Sequence, residues 1–324
     1  MAKFLIIRFS SIGDIVLTTP VIRCLKTQLS DSEIHFATKP AYLPVIENNP
    51  HITKVHLLNS DLNSYVNQLK SEQFDYIIDL HNNIRTAYIK TLLGVKSFSF
   101  DKLNFQKWLM VQFKINRLPH KHIVDRYIST VSEFNVNNDG MGLDYFLPVS
   151  QDDLFNDKFR GTIFENLISS KYIAFVIGAN HSTKRLPVSK IISICKKISQ
   201  KVVLLGGHGD QERSLEITNA SGSHVLNACG KFTLHESAHV LKHAEHVITH
   251  DTGLMHIAAA FGKPITSVWG NTIPQFGMTP YFGIAKNYST LVEVAGLNCR
   301  PCSKIGFAKC PKNHFKCMTM INEE

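Results

Sequence analysis

Long hydrophobic runs are absent from this sequence. Near its start there is only the apolar run FLII, which is too short for the core of a secretory signal peptide and precedes no cleavage-site pattern. No stretch approaches the roughly 18 consecutive apolar residues that a membrane-spanning helix needs. We therefore expect a cytoplasmic protein whose seven cysteines stay reduced.

Two nucleotide-binding signatures are also missing. Neither half carries the GxGxxG dinucleotide fingerprint, and no GK[ST] Walker ending occurs. The basic residues, which give a formal net charge of +9, are scattered without an arginine-rich arm or an RNP-type aromatic strand. These absences disfavour a Rossmann oxidoreductase and a nucleic-acid partner. The positive charge favours other anions, such as nucleotides, acidic glycans or an acidic membrane surface.

Short apolar runs separated by amphipathic stretches make up most of the chain. Those typical of buried parallel strands are KFLIIRF, EIHFAT, KVHLL and DYIIDL in the first half, and YIAFVIG, KVVLLGG, HVITH and PITSVWG in the second. Between them, stretches such as VIRCLKTQL and VSKIISICKKIS have apolar residues every three or four positions and predict helices. This alternation predicts an α/β protein with two Rossmann-like domains, each built on a parallel sheet.

Turn-forming residues cluster between the two halves, in NNDGMGLDYFLPVSQDD. We place the domain boundary near residue 150, which divides the 324 residues into domains 1–150 and 151–324. Ligands of doubly wound sheets bind beyond the carboxyl ends of the strands, so two such domains facing each other would form a cleft lined by loops. Functional residues are therefore expected in the loops that follow strands.

The loop after the first predicted strand contains a glycine and an acid. Gly13 supplies backbone freedom for a sharp turn, and Asp14 lies at the start of the next helix. An aspartate at this point is either a helix N-cap or a functional carboxylate at the ligand crevice. The residues of the loop leave both alternatives open.

Five ordered blocks resemble glycosyltransferase family 9, the lipopolysaccharide heptosyltransferases. They are RFSSIGDIVLTTPVIRCLK, DLHNNIRT, GANHSTKRLP, LLGGHGDQE and HDTGLMHIAAAFGKPITSVWGNTIPQFG. The resemblance implies a GT-B fold, in which two Rossmann-like domains face each other, the first binding the acceptor and the second the nucleotide sugar. It also implies an inverting transfer of heptose from ADP-heptose that requires no metal or other cofactor, with Asp14 as the general base.

The donor is expected at the strand-to-helix junction of the last block. The first N–H groups of that helix, around Thr252, Gly253 and Leu254, form an anion site suited to a diphosphate. Asp251 and Thr252 are natural helix caps. His256 follows one turn later, and the family pattern implies that it lies at the donor site.

A second donor loop is GANHSTKRLP. The hydroxyl groups of Ser182 and Thr183 can bond diphosphate oxygens, and Lys184 can place a point charge on the leaving group. A solvated loop is the alternative, and Arg185 is the rival cation. The family pattern, in which a lysine ahead of a proline binds phosphate, favours Lys184 as a catalytic residue.

Two acids follow in LLGGHGDQE. In this fold Asp210 and Glu212 are placed to bond the ribose hydroxyls of the donor. An acidic first helical turn, favoured by the helix dipole, explains them equally well.

Several cations of the first half follow predicted strand ends, where they could converge on an acidic acceptor. The family's acceptor is the anionic inner core of lipopolysaccharide, which implies peripheral contact with the cytoplasmic face of the inner membrane. Arg85 is the strongest candidate. The complete set predicted for the acceptor side is Arg8, Ser10, Ser11, Gly13, Lys39, His81 and Arg85.

The C-terminal stretch 299–317 is rich in cysteine. Its thiols have spacing suited to a structural zinc site, and the alternative is that they are packed or reversibly oxidised. The four candidate ligands are Cys299, Cys302, Cys310 and Cys317. The other three cysteines, Cys24, Cys195 and Cys229, have apolar contexts and are predicted core residues.

The function predicted from sequence is thus glycosyl transfer. A non-catalytic nucleotide- or glycan-binding protein with the same fold is one alternative, and a family member that uses another nucleotide sugar is a second. No residue pattern selects adenine over another base or heptose over hexose.

Overall fold

The computed structural model describes residues 2–59, 61–285 and 288–323, and the chain forms two compact units. The first unit comprises Met1–Leu103, Lys121–Phe146 and Phe282–Ala285, and the second comprises Asn104–His120, Leu147–Tyr281 and Lys286–Glu324. A single boundary near residue 150 would assign Asn104–His120 to the first unit and Phe282–Ala285 to the second. The structure has each of these segments in the other unit. In the first unit, Ile284 donates its N–H to the carbonyl of Gly140 at 2.8 Å.

Each unit is built on a parallel sheet. The strands are β1 (Lys3–Ile7), β2 (Glu33–Thr38), β3 (Lys54–Leu57), β4 (Tyr76–Asp79), β5 (Lys96–Ser99), β6 (Tyr172–Val176), β7 (Lys201–Leu205), β8 (Val225–Asn227), β9 (His246–His250), β10 (Ile265–Trp269) and β11 (Ser289–Glu293). Among the described residues, the first sheet has the order β3-β2-β1-β4-β5 and the second β11-β10-β9-β6-β7-β8. The connections between parallel neighbours are crossovers, as in doubly wound folds.

Helices occupy most of the connections. They are α1 (Ile12–Val16), α2 (Thr19–Gln28), α3 (Leu62–Ser71), α4 (Ile84–Leu93), α5 (Asn104–Phe113), α6 (Ile123–Ile128), α7 (Gln151–Phe159), α8 (Val188–Lys197), α9 (Gln211–Ser221), α10 (Leu234–His243), α11 (Gly253–Ala260) and α12 (Lys316–Thr319). Short 3₁₀ turns lie at Pro40–Val45, Ser129–Phe134, Ser182–Lys184, His208–Asp210 and Pro274–Phe276. None of the helices in the described ranges has the length and apolar character needed to cross a bilayer.

All eight predicted strands are confirmed. Strand β1 shows why, because Phe4 to Ile7 are fully buried and a strand covered on both faces is a continuous apolar run. The strands that no prediction included are β5, β8 and β11. Two of them, β5 and β11, are sheet edges that expose most of their residues, and β8 has only three residues.

Cysteine burial agrees with the predicted core positions. Cys24, Cys195 and Cys229 are fully or almost fully buried, and burial raises the pKa values of their thiols to about 11, 11 and 12, respectively. In the C-terminal stretch, Cys317 and Met318 of α12 pack into the core of the second sheet. The tail therefore forms part of the second unit's core.

Candidate active site

The first turn of α1 follows β1 directly. Ser11 is the N-cap of this helix, in extended conformation with φ of −99°. Its N–H and its hydroxyl both donate to Oδ2 of Asp14, at 3.2 and 2.8 Å. The N-cap alternative for Asp14 is therefore wrong, because Asp14 is the third helical residue and completes a capping box. Gly13 lies inside the same helical turn, so the sharp turn precedes it.

An ion pair fixes the other oxygen of the Asp14 carboxylate. Nη2 of Arg8 lies 2.5 Å from Oδ1 of Asp14, and the Asp14 side chain keeps 20% of its surface exposed. The ion pair and the serine hydrogen bonds stabilise the charged carboxylate and hold its position. The exposed part leaves room for approach from solvent.

Arg8 differs from the free cation expected at the acceptor site. Its Nε donates to the carbonyl of Ser10 at 2.7 Å, and its Nη1 donates to the carbonyl of Leu80 and the hydroxyl of Tyr127 at 2.5 and 3.1 Å. Burial lowers the pKa of Arg8, but Tyr127 and Asp14 outweigh it, and the net shift is upward. Because the guanidinium is buried and bonded to the protein on all sides, acceptor binding by Arg8 is corrected to a positioning role for Asp14.

His81 was also expected among the cations. Burial is the main cause that lowers its pKa to about 4, with the charge of Arg8 contributing next. The ring is therefore neutral at neutral pH, and this expectation is wrong. His81 packs edge-on against Phe9, with 5.5 Å between ring centroids.

The remaining acceptor candidates follow the carboxyl ends of strands in the first sheet. Ser10 follows β1 and Lys39 follows β2, and both are half-buried. Arg85 is exposed in the first turn of α4, after β4. Contact of these residues with an acceptor stays a prediction.

Arg85 lines an open pocket of the first unit. The pocket lies where the amino-terminal ends of α3 and α4 come together, and the hydroxyl of Tyr88 donates to Oδ1 of Asn63 there at 2.9 Å. The residues that line it are Leu62, Asn63, Asn83, Ile84, Arg85 and Tyr88. The pocket combines one cation, two amides and a ring, a set suited to an acidic sugar.

Lys184 and Asp251 form the centre of the second site. Their Nζ and Oδ2 atoms are 2.6 Å apart, and both side chains are largely buried, with 16% and 13% exposure. The hydroxyl of Thr272 donates to the same Oδ2 at 3.0 Å. Asp251 therefore orients the lysine ammonium, and the N-cap of α11 is Thr252.

The amino end of α11 lies beside this ion pair. Thr252 makes no side-chain hydrogen bond to the first turn that follows, in which Gly253 and Leu254 are half-buried. Helix α11 ends where the sequence predicted. Its last residue is Ala260, and Gly262 follows in the left-handed conformation with φ of +64°. These N–H groups and the Lys184 ammonium are the positive ends that an anion would meet. His256 is buried in this helix, and its donor contact stays a prediction.

Thr183 has a different role from the one expected. Its hydroxyl donates to the carbonyl of Phe307 at 3.1 Å and accepts from the N–H of Phe307 at 2.8 Å, and its own N–H donates to the same carbonyl at 3.2 Å. The side chain is buried and its hydroxyl is bonded to Phe307, so the prediction that Thr183 binds the donor is corrected. Thr183 instead attaches the loop to the cysteine-rich tail. Ser182 beside it is exposed, and its donor contact stays a prediction.

Asp210 is likewise occupied by the protein. Its Oδ2 accepts the N–H of Gly207 at 3.1 Å, and its Oδ1 lies 3.5 Å from Nη1 of Arg185 and 3.4 Å from Nη1 of Arg213. The carboxylate is buried, so the geometry favours the helix-start explanation over a contact to ribose. Glu212 is exposed in the first turn of α9 and keeps both alternatives open.

The four cysteines of the tail are not among the closely spaced groups of metal-ligating side chains in the described part of the chain, and zinc binding by them stays a prediction. Among the described residues, trios of metal-ligating side chains with all ligand atoms within 4.8 Å of one another occur at His35, His56 and Glu72 and at Asp152, His239 and His243, and neither contains a thiol. The thiol of Cys302 instead donates to the carbonyl of Cys299 at 3.1 Å. Cys317 is drawn into the core, where burial raises its pKa to about 11.

Comparison with known proteins identifies the chain. The family model of glycosyltransferase family 9 (heptosyltransferase) matches residues 63–309. The chain belongs to this family. It is a glycosyltransferase.

Relatives in family 9 share about a quarter of the sequence. Lipopolysaccharide heptosyltransferase 1 of Campylobacter coli is 24% identical over 295 residues, which cover 83% of this chain and 84% of that protein. Lipooligosaccharide heptosyltransferase 2 of Haemophilus influenzae is 24% identical over 295 residues, with 85% of each chain covered.

Solved structures confirm the predicted fold class, GT-B with two Rossmann-like parallel-sheet domains. A glycosyltransferase family 9 protein from Veillonella parvula superposes with a TM-score of 0.73 at 23% identity and covers 90% of this chain and 86% of its own. E. coli ADP-heptose lps heptosyltransferase II gives a TM-score of 0.69 at 17% identity, with 98% of both chains covered.

Sequence reasoning missed several residues of both sites. Tyr127 and Leu80 bond Arg8, and Thr272 bonds Asp251. Thr272 lies in the loop after β10, so the rule that ligands bind beyond the carboxyl ends of strands would have included it. Tyr127 lies on α6, far from any strand end, and carries no comparable signal.

Proposed function

We propose that this family 9 transferase moves heptose from ADP-heptose to the inner core of lipopolysaccharide, with inversion at the anomeric carbon. The observation that carries the proposal is the Lys184 ammonium, held by Asp251 beside the amino end of α11, because this ammonium and the first N–H groups of the helix would attract a diphosphate. Similar proteins support the choice of donor. One is named ADP-heptose lps heptosyltransferase II, and another, E. coli heptosyltransferase WaaC, was solved with ADP.

The second unit would bind the donor and help it leave. Lys184 and the first N–H groups of α11 would neutralise charge that develops on the diphosphate as the bond from the anomeric carbon to its oxygen breaks. The nucleoside diphosphate departs with the electron pair of that bond. Because an ammonium and a helix terminus supply this positive charge, we propose that the step requires no metal. Asp251 would hold the ammonium in place.

The first unit would activate the acceptor. A hydroxyl of the acceptor would form the new bond to the anomeric carbon while its proton passes to the carboxylate of Asp14. Attack on the face opposite the leaving group gives inversion. Arg85 and the pocket around it would bind an acidic group of the acceptor, since a guanidinium bonds carboxylates and phosphates through two parallel N–H groups.

We also propose that the transfer takes place at the cytoplasmic face of the inner membrane and that α5 makes the contact. Phe105, Trp108 and Phe113 of this helix expose 66%, 49% and 58% of their surface. Lys114 and Arg117 follow directly and are exposed. Aromatic rings beside basic side chains are typical of helices that lie in an anionic membrane surface.

The experiment is a panel of nucleotide sugars offered with a lipopolysaccharide-core acceptor. We expect release of ADP and a product enlarged by one heptose with ADP-heptose, and little release with UDP-glucose or GDP-mannose. Turnover with another member of the panel alone would overturn the donor and keep the transferase. Binding of nucleotide without release from any donor would favour the non-catalytic alternative.

A further inference from the structure

Two histidines on α10 and an aspartate on α7 form a cluster that glycosyl transfer does not use. His239 and His243 are four residues apart and lie on one face of the helix. Asp152 is in the first turn of α7, which packs against α10 through Phe155, whose ring centroid is 5.1 Å from that of His239. All three residues belong to the second unit.

Three of the four ring nitrogens of His239 and His243 have no hydrogen-bond partner among the described residues. His239 is fully buried, and among the described residues neither its Nδ1 nor its Nε2 meets a partner. The Nε2 atom of His243 is buried without one as well. Buried polar atoms are almost always paired, so three unpaired nitrogens in two neighbouring rings point to a missing ligand.

The distances fit a metal ion. Oδ1 of Asp152 is 3.4 Å from Nδ1 of His239 and 4.0 Å from Nε2 of His243. Ligand atoms bound at about 2.0–2.1 Å in a tetrahedron lie roughly 3.3 Å apart, so small movements would close the trio around one ion. The Asp152 side chain is 64% exposed, which leaves an entry path and room for a water as fourth ligand.

The protonation state also suits a metal. Burial is the main cause that lowers the pKa of His239, to about 4, and that lowers the pKa of His243. Both imidazoles are therefore neutral at neutral pH, so that protons do not compete with a cation for the ring nitrogens. At His35, His56 and Glu72, by contrast, the two rings already bond each other at 2.9 Å.

We propose that Asp152, His239 and His243 bind a divalent transition metal of the Zn²⁺ type, which fastens α7 to α10. Two imidazoles and a carboxylate are a ligand set that Zn²⁺ accepts. The ion would be structural.

The test is Co²⁺ and Zn²⁺ binding by the full chain after treatment with a chelator. Tetrahedral Co²⁺ absorbs in the visible range, and thiolate ligands add near-ultraviolet charge-transfer bands that imidazole and carboxylate ligands lack, which separates this site from the cysteine-rich tail. We expect one Co²⁺ site without those bands. Asp152→Asn and His243→Gln should weaken it by at least the roughly 10- to 100-fold that loss of an outer-shell partner costs.

Asp153→Asn is the matched control, because Asp153 is the neighbouring exposed acid in the same turn. It should bind Co²⁺ like the unaltered chain. Zn²⁺ should raise the melting temperature of the unaltered chain and of Asp153→Asn, and leave that of Asp152→Asn unchanged. Equal Co²⁺ affinity in Asp152→Asn and Asp153→Asn, or spectra with thiolate bands alone, would overturn the proposal.

Discussion

At the scale of single residues, the first site depends on how one carboxylate is held. Asp14 receives two hydrogen bonds from Ser11 and an ion pair from Arg8, so both of its oxygens are fixed. A general base needs a defined position and access to the group that gives up the proton, and the held, partly exposed side chain of Asp14 fits both requirements.

The Asp14→Asn variant tests the base. Asparagine keeps the size of the side chain but cannot take a proton, so we expect turnover to fall by about a hundredfold to ten-thousandfold while the donor KM changes little. Steady-state rates of nucleoside diphosphate release measure this. Asp31→Asn, at an exposed turn residue, is the control. A wild-type rate from Asp14→Asn would remove Asp14 from the chemistry.

The Arg8→Lys variant separates positioning from acceptor binding. Lysine keeps the charge but cannot reproduce the contacts that the guanidinium makes with Ser10, Leu80, Tyr127 and Asp14. We expect kcat to fall by about tenfold to a hundredfold with an unchanged acceptor KM, because the base is misplaced.

Circular dichroism should show that Arg8→Lys folds, and Arg160→Lys at an exposed position is its control. A raised acceptor KM with an unchanged kcat would restore Arg8 to acceptor binding.

At the scale of elements, the 3₁₀ turn Ser182–Lys184 is fastened to the cysteine-rich tail. Three hydrogen bonds join Thr183 to Phe307, and one residue further along the turn lies the ammonium of Lys184. The position of this cation therefore depends on a segment that is distant in sequence.

Thr183→Val removes two of those hydrogen bonds and keeps the shape of the side chain. An unpaired buried group costs roughly 1–3 kcal/mol, so we expect the donor KM to rise by about tenfold or more while the acceptor KM stays constant. Thr218→Val, on α9 of the same unit, is the control, because its hydroxyl donates to the carbonyl of Ser214 within its own helix at 2.7 Å. An unchanged donor KM would mean that the turn holds its shape without the tail.

The exposed aromatic side chains of α5 predict binding to anionic membranes. Phe105 stacks on Trp108 with 6.0 Å between ring centroids, so the two rings form one apolar surface. The double variant Phe105→Ser, Trp108→Ser should bind vesicles that contain an anionic phospholipid at least about tenfold more weakly, because burial of a large apolar side chain is worth about 1.5–3 kcal/mol.

Vesicle cosedimentation measures this, with turnover on a water-soluble acceptor expected to be unchanged. The control is Ile163→Ser with Leu215→Ser, which removes two exposed apolar side chains elsewhere in the second unit. Equal vesicle binding by the two double variants would exclude α5 as the membrane contact.

At the scale of the whole molecule, buried neutral histidines make stability depend on pH. Burial is the main cause that lowers the pKa values of His56 and His81 to about 4 and that of His250 to about 3, from 6.5. Below about pH 6.5 these histidines thus become protonated in the unfolded chain while they stay neutral in the folded chain. Their stabilising contribution is complete above pH 6.5 and is lost as the pH falls towards 4.

Urea unfolding at pH 7.5 and pH 5 measures this effect. We expect a lower free energy of unfolding at pH 5, with each group contributing at most about 1.4 kcal/mol per pH unit. At His81, Arg8 and Lys102 oppose protonation while Asp79 and Asp14 favour it. His81→Asn should make the free energy of unfolding depend less on pH, because it removes at most one of the protons that the chain takes up on unfolding. A free energy of unfolding that is the same at pH 7.5 and pH 5 would contradict this explanation.

Local patterns predicted the architecture, and contacts distant in sequence decided the roles in the sites. Apolar runs revealed the buried strands because burial dictates composition, whereas edge strands such as β5 carry polar residues. The rule that ligands bind beyond strand ends directed attention to the loops that contain Asp14 and Lys184, and the resemblance to family 9 selected these two residues as catalytic candidates. The rule could not show that Arg8 is bonded by Tyr127, 119 residues away, or that Asp210 lies 3.5 Å from Arg185.

The fastening of the turn that carries Lys184 also bears on how the protein is made. Phe307 is 124 residues downstream of Thr183, so a ribosome delivers the lysine long before it delivers the segment that secures it. A chain interrupted before residue 307 would hold most of the second sheet and still carry its key ammonium on an unsecured turn. The three hydrogen bonds between Thr183 and Phe307 can therefore form only after Phe307 has been synthesised.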